Sequence, residues 1–251
     1  MRPFELVRTG LLPFLPVLDR NIRGRLRDAT RSSSSIPEVL DVGGRESPYT
    51  IGVRANITIT DLPRETDLQK MLHLGITQAL MDKIRSRRSN IRRILFDDMT
   101  QSAVPDSSFD GVVAVEVLEH VEEDGRFLDE VHRVLKPGGF FLMSTPNGDF
   151  IENKNPDHKR HYTRTALSSL LASRFDSVEV EYAVCGGRWR SLGLQAWSVK
   201  HPLRTVLSMV GNMINGIESA PNAVRFSARG PHHLIGTGRR NPLQAGSTAA
   251  R

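Results

Sequence analysis

The chain has 251 residues, 39% of them hydrophobic and 25% charged, with a formal net charge of +6: enough to bury the core of one α/β domain with additions. Its single cysteine, Cys185, excludes an internal disulfide and multi-cysteine zinc sites and fits a reducing, cytoplasmic compartment. Charge is uneven: residues 1–35 carry net +4 and 185–251 net +8, which leaves 36–184 at −6. Basic flanks suit anionic substrates or a lipid surface. No aromatic–basic motif for nucleic acid is present, so no such partner is expected.

Residues 1–35 form an arm and linker. The apolar positions Phe4 to Leu18 are broken by Pro13 and Pro16, and the uncharged run Gly10–Leu18 is shorter than the ~20 residues a bilayer span needs. No small-residue cleavage site follows, so the stretch reads as an arm that packs on the domain or touches a membrane surface. Pro37–Val42 reads as the first strand and runs into Asp41-Val42-Gly43-Gly44-Arg45-Glu46-Ser47. Such a turn lets backbone approach a ligand, and little room remains for a first helix. Asn56–Thr60 alternates as a second strand and ends at Asp61, 20 residues beyond Asp41. An acid there meets a ribose in nucleotide-binding α/β folds; the plain alternative is an aspartate that starts a turn. Apolar spacing predicts a long helix over Thr66–Arg88, with a solvated arginine cluster at its end, then a third strand at Ile91–Phe96 before Asp97-Asp98-Met99.

The stretch from Phe109 to Asn147 carries the organisation. Phe109–Val117 is an apolar run of the kind found in a strand buried on both faces, and it leads through Val115 and Glu116 to Glu119 and His120. Phe127, Leu128, Val131, Val134 and Leu135 recur at helical spacing, Pro137-Gly138-Gly139 stops that helix, and a second apolar run ends at Thr145-Pro146-Asn147. Strand, helix and strand make one βαβ unit of a parallel sheet, whose ligands bind at the strands' carboxyl ends. Glu116, Glu119 and His120 therefore face the site. A metal is not expected, because the His158 and His161 pair lies far along the chain.

Beyond it, Thr163 reads as the N-cap of a helix with Leu167, Leu170 and Leu171 on its buried face, and Asp176–Val184 as a sixth strand. Residues 185–230 form an apolar, cationic, helical insertion that can lie on a membrane, lid a pocket or form a homodimer face. Pro231–Arg240 is the last strand, antiparallel beside the sixth, and 241–251 a disordered tail.

The words Ser108-Phe109-Asp110, Leu118-Glu119-His120-Val121 and Leu135-Lys136-Pro137-Gly138-Gly139, in this order and at these separations, resemble class I S-adenosylmethionine (SAM)-dependent methyltransferases, in particular the small-molecule branch with the ubiquinone-biosynthesis O-methyltransferases. The resemblance covers about Val39 to Val184. It implies a Rossmann-like, seven-stranded, mostly parallel sheet with an antiparallel last strand, spanning 36–240, and SAM as cofactor. It places SAM over Asp41, Gly43 and Gly44, its ribose on Asp61, its adenine by Asp98 and Met99, and Val115, Glu116 and His120 around the pocket. The acceptor would be a small molecule, a glycan or a lipid-linked compound, methylated at oxygen, with anionic membrane as a peripheral contact. Relatives of this branch carry an Asn-Pro-x-His…Tyr-Thr stretch facing substrate, matched by Asn155 to Thr163. There His161, with His158 second and His120 competing, is the expected base, since an imidazole of pKa about 6.5 suits removal of a hydroxyl proton. One departure stands out: the family's later motif glycines are Arg45 and Ser47 here. The rival readings are a non-catalytic scaffold of this fold, an RNA methyltransferase, and a dinucleotide oxidoreductase, which lacks its Gly-x-Gly-x-x-Gly.

Overall fold

Seven strands make one sheet in the order β3-β2-β1-β4-β5-β7-β6. They are β1 (Glu38–Val42), β2 (Asn56–Asp61), β3 (Ile91–Phe96), β4 (Phe109–Val115), β5 (Leu135–Pro146), β6 (Asp176–Cys185) and β7 (Pro231–Arg239). The structure is a computed structural model that describes residues 2–31, 33–64, 75–220, 224–225, 227 and 229–241. Strands β1 to β5 pair in parallel, and β7 lies antiparallel between β5 and β6. The helices are α1 (Pro3–Gly10), α2 (Val17–Arg31), α3 (Gln78–Arg87), α4 (Asp124–Val134), α5 (Arg164–Ala172), α6 (Arg188–Gly193) and α7 (Pro202–Glu218).

β4 is central, flanked by β1 and β5, and its side chains divide the core. Val112 and Ala114 join Phe127, Leu128, Val131 and Leu167 under α4 and α5. Val113 joins Val17, Ile22, Leu26, Met81 and Ile84 under α2 and α3. Alternate residues of a strand point to opposite faces, so a strand covered on both sides must be apolar throughout. α2 thus supplies the core of one face: Ile22 and Leu26 are fully buried, and Arg23 Nη1 donates to Ile51 O at 2.5 Å. Together α1 and α2 lie on the domain, and no helix among the described residues is long and apolar enough to cross a membrane.

Three details differ from the sequence expectation. Of the helix expected over Thr66–Arg88, the described part is Gln78–Arg87, set off from what precedes it by Gly75 at φ +68 and by the extended Thr77, which caps Leu80 N with its side chain. Residues 65–74 lie outside the described residues, as do 242–251, where a disordered tail was expected. Arg88, expected in a solvated cluster, is buried and donates from Nη2 to Thr50 Oγ1 at 2.6 Å. Finally, α4 ends at Val134, before the Lys136-Pro137-Gly138-Gly139 word. Leu135 already pairs with Phe109, and the word bulges out before Phe140 pairs with Gly111.

Candidate functional site

The turn after β1 is built from inside. Gly43 adopts φ +68, open to glycine without a steric cost, and donates its N–H to Thr60 O at 2.7 Å. At Gly44 a Cβ would come within 2.3 Å of the Asp41 carboxyl. Asp41 is fully buried and accepts from the Ser47 hydroxyl, from Tyr49 OH at 3.0 Å and from Thr50 Oγ1 at 3.1 Å. Burial pushes its carboxyl up, with Ser47, Arg88, Tyr49 and Thr50 opposing. Ser47, at a position where the family carries glycine, is therefore a strut of the turn. Only a single 3₁₀ turn, Gly44–Glu46, stands in place of a first helix. Asp41 and Gly44 lie behind the ligand-facing wall and shape it.

A cavity of about 670 Å³ opens at the carboxyl ends of β1, β2 and β4. This is where strand order reverses, the usual ligand site of an open α/β sheet. It brings together Gly43, Asp61, Asp98, Met99, Val115, Glu116 and His120 of the sequence-expected set. Asp98 Oδ1 accepts from Thr100 N at 2.9 Å and Thr100 Oγ1 at 2.8 Å, which leaves Oδ2 without a partner among the described residues. Arg45 also lines the cavity, and its Nη1 lies 2.8 Å from Asp61 Oδ2. Asp61 Oδ1 accepts from Leu62 N at 2.9 Å. Burial raises the Asp61 carboxyl and the Arg45 charge opposes the shift.

At the end of β4 the chain turns sharply. Glu116 has φ 54, a left-handed conformation that costs a non-glycine residue about 1–3 kcal/mol and recurs at functional sites. Its Oε1 accepts from Ser144 Oγ at 2.7 Å and faces His233 Nδ1 at 3.3 Å, while His233 Nε2 lies 3.0 Å from Arg190. Burial alone would raise Glu116; His233, Ser144 and Arg190 outweigh it and hold the carboxyl below its ordinary value. Glu119 is the opposite case. It is fully buried, neither carboxylate oxygen has a hydrogen-bond partner of good geometry among the described residues, and burial followed by the Glu116 charge holds it well above the ordinary range, with its own backbone and Thr145 opposing.

The segment before α5 is strapped onto this corner. Lys159 N donates to Glu119 O at 2.7 Å, Arg160 Nη1 pairs with Asp124 at 2.6 Å, and Tyr162 OH donates to Asp124 at 2.8 Å. The strap carries Asp157 onto the cavity wall, where its Oδ2 lies 2.9 Å from His120 Nδ1. A carboxylate only accepts, so Nδ1 of His120 is the donor, and in the neutral ring Nε2 is the acceptor. His161 and His158 are correspondingly ordered. His161 Nδ1 donates to Ile151 O at 2.9 Å, and its Nε2 lies 2.8 Å from His158 Nδ1. Both nitrogens of His161 are thus engaged, and neither His161 nor His158 lines the cavity. Of the three histidines only His120 lines the cavity, while His161 is held between Ile151 and His158. Burial, then His120 and His161, lower the His158 imidazole.

Glu119, His120 and His158 bring one potential ligand atom each within 4.8 Å of one another, a set able to hold a divalent cation. Sequence distance, the ground for expecting no metal, does not keep these groups apart in space. Asp157, His233 and Arg190 were not singled out as site residues from sequence, because each comes from a segment placed only by the fold. Asp19 of α2 was missed likewise. Burial pushes its carboxyl up to about 7, with Arg8 opposing and Glu116 adding, which puts it in the electrostatic neighbourhood of the end of β4.

Residues 52–143 match the family profile described as a methyltransferase domain. A probable SAM-dependent methyltransferase of Mycolicibacterium smegmatis is 32% identical over 124 residues, 47% of this chain and 48% of that protein. A ubiquinone biosynthesis O-methyltransferase of Bradyrhizobium sp. is 51% identical over 94 residues, 38% of this chain and 28% of that protein. The chain thus spans about half or less of the length of these curated relatives. Among solved structures, Burkholderia thailandensis 1,6-didemethyltoxoflavin-N1-methyltransferase, with bound 1,6-didemethyltoxoflavin and S-adenosylhomocysteine, aligns with a TM-score of 0.52 at 18% identity. That alignment covers 89% of this chain and 78% of the other.

Proposed function

We propose that this chain, which carries the domain and the seven-stranded fold of class I SAM-dependent methyltransferases, transfers a methyl group from SAM to a hydroxyl of a small-molecule, glycan or lipid-linked acceptor. Bound SAM supplies an electrophilic methyl group on a sulfonium centre. The residues fit it. The cavity volume lies within the range of cofactor sites, roughly 300–1,000 Å³. Asp98 Oδ2, without a partner among the described residues, can accept from the adenine amine, buried Met99 offers an apolar face, and Asp61 on the cavity wall can accept from the ribose hydroxyls. The one conflict is the Arg45 guanidinium on Asp61.

The observation that carries the choice of oxygen is the Asp157–His120 pair on the cavity wall. Asp157 fixes the tautomer and orientation of His120, whose free Nε2 can take the acceptor's hydroxyl proton as the methyl group moves. Glu116, held ionised by His233 and Arg190, supplies negative charge beside a cationic cofactor. A second reading of the same corner is supported by Glu119, whose carboxylate has no hydrogen-bond partner of good geometry among the described residues: a divalent cation on Glu119, His120 and His158 would bind the acceptor oxygen and favour its alkoxide. In that case chelation abolishes turnover and leaves cofactor binding in place, whereas the Asp157–His120 base survives chelation. Labelled-methyl transfer from SAM into extracts separated into lipid, glycan, small-molecule and RNA pools tests the acceptor class. Label in the RNA pool alone, or in none, would overturn the reading.

A further inference from the structure

The helix α7 is built inside out. Its buried stripe is Ser208, Gly211, Asn212 and Asn215. Ser208 Oγ donates to Gly193 O at 2.8 Å, Asn212 Nδ2 to Phe14 O at 2.9 Å, and Asn215 Nδ2 to Cys185 O at 2.8 Å. These bonds tie α7 to α6, to the turn before α2 and to the end of β6, so its orientation is fixed by polar groups. The outward face is consequently apolar. Leu203, Val206, Leu207, Val210, Met213 and Ile217 are between 42% and 72% exposed. Val199, just before the helix, is 99% exposed. A monomer in water gains nothing from that arrangement, because large contiguous apolar patches mark interaction surfaces.

The charges around the face say what covers it. Only Arg204 and Glu218, at opposite ends, are charged within α7. Arg188, Lys200 and Arg204 are exposed and form no salt bridge among the described residues; Arg204 Nε donates to the neutral Gln195 at 2.9 Å. Arg8 of α1 lies over the Trp197 ring at 5.9 Å, and Leu6 and Val7 of the same helix are exposed. Trp197 donates its indole N–H to Ser208 of the buried stripe at 3.1 Å, so the half-buried ring packs against the inner side of α7. An apolar helix face beside cations that form no salt bridge among the described residues suits a surface that is itself anionic. A second copy paired antiparallel would set Glu218, the one acid within α7, against Lys200 and Arg204 of the other, leaving cations in excess, whereas an anionic surface meets them all.

We propose that the outward face of α7 docks the protein on an anionic lipid bilayer, the helix lying in the headgroup plane. α6 links this surface to the cavity, since Arg190 reaches His233 and His233 reaches Glu116. Docking would therefore set the acceptor end of the cavity beside the lipid, where an apolar acceptor resides. The inference does not depend on methyl transfer and is tested without it.

The experiment is flotation of the purified full chain with phosphatidylcholine vesicles and with vesicles carrying about 30% phosphatidylglycerol, at low and at high salt. The expected result is partition onto the anionic vesicles alone, weakened by salt. Lys200→Gln with Arg204→Gln should lower the partition coefficient roughly 25-fold, about fivefold for each cation removed. Val206→Gln with Val210→Gln should lower it at least about tenfold through lost apolar contact. Both side chains are exposed, so these variants should keep the wild-type melting temperature and S-adenosylhomocysteine affinity. No binding to anionic vesicles, or binding that ignores both variants, overturns the proposal. So does a salt-insensitive dimer in analytical ultracentrifugation that Val206→Gln with Val210→Gln dissociates, which would make the face a seam between two copies.

Discussion

Replacing Arg45 by glycine should tighten cofactor binding. In this structure Arg45 Nη1 sits 2.8 Å from Asp61 Oδ2, and the other carboxylate oxygen is engaged by Leu62 N. Both groups are largely shielded, with 19% and 8% of their side chains exposed. Two unit charges about 4 Å apart attract with roughly 4 kcal/mol at an effective dielectric of 20, and more weakly in net terms after desolvation. A hydrogen bond to a charged group is worth about 1.5–3 kcal/mol, so ribose hydroxyls that must displace or share Arg45 forfeit up to that amount. Arg45→Gly should therefore raise affinity for S-adenosylhomocysteine about 10- to 150-fold in titration calorimetry. Asp61→Ala should lower it by a similar factor. In the Asp61→Ala background the glycine substitution should gain nothing, because its effect runs through that carboxylate. The variant also leaves Asp61 buried without its guanidinium, so its carboxyl rises further, and the affinity gain should shrink as pH falls and the carboxyl protonates. Unchanged or weaker binding by Arg45→Gly, or a gain that persists with Asp61→Ala, would refute competition at this carboxylate.

His120→Gln should lower kcat about 10²–10⁴-fold, and Asp157→Asn should follow it, because one is the proposed base and the other would orient it; equal turnover of wild type and His120→Gln would remove the base. His161→Ala should cost less than His120→Gln, since His161 acts through His158. Asp19→Asn should stabilise the fold above pH about 7. A carboxyl raised to about 7, against an unfolded value of about 3.9, keeps its proton in the native state through that window, so wild-type stability falls as pH rises from about 4 to about 7. Thermal melts of the two proteins should converge near pH 4 and separate at pH 8, and parallel curves would contradict the burial of this group. Ser47→Ala should cost about 1–3 kcal/mol in denaturant unfolding by removing a donor from buried Asp41.

The sheet was legible because its chemistry is local. Phe109 to Val115 had to be apolar on both faces, and the positions of Asp61 and Asp98 follow from where their strands end. Thr163 was readable as a cap for the same reason, its side chain accepting from Ala166 N. What sequence spacing did not disclose is set by contacts between distant segments. Asp157 meets His120 only because Lys159, Arg160 and Tyr162 strap their loop to Glu119 and Asp124. Arg88 looked like one of several solvated arginines until the turn after β1 placed Thr50 and Asp41 beside it. α7 was read as amphipathic, but a helical wheel does not say which face is inward; Asn212 and Asn215, bonded to carbonyls of other segments, reverse the usual rule. The same limit explains Arg45: the sequence shows a missing glycine, and only the fold shows the carboxylate it occupies.

The central claim is that the cavity at the ends of β1, β2 and β4 is a SAM site. Calorimetric titration of the purified chain with SAM, S-adenosylhomocysteine and NAD tests it most directly. The account predicts one-to-one binding of SAM and S-adenosylhomocysteine, weakened about 10-fold or more by Asp61→Ala, and no binding of NAD. Binding of NAD in place of SAM, or of none of the three, would contradict it.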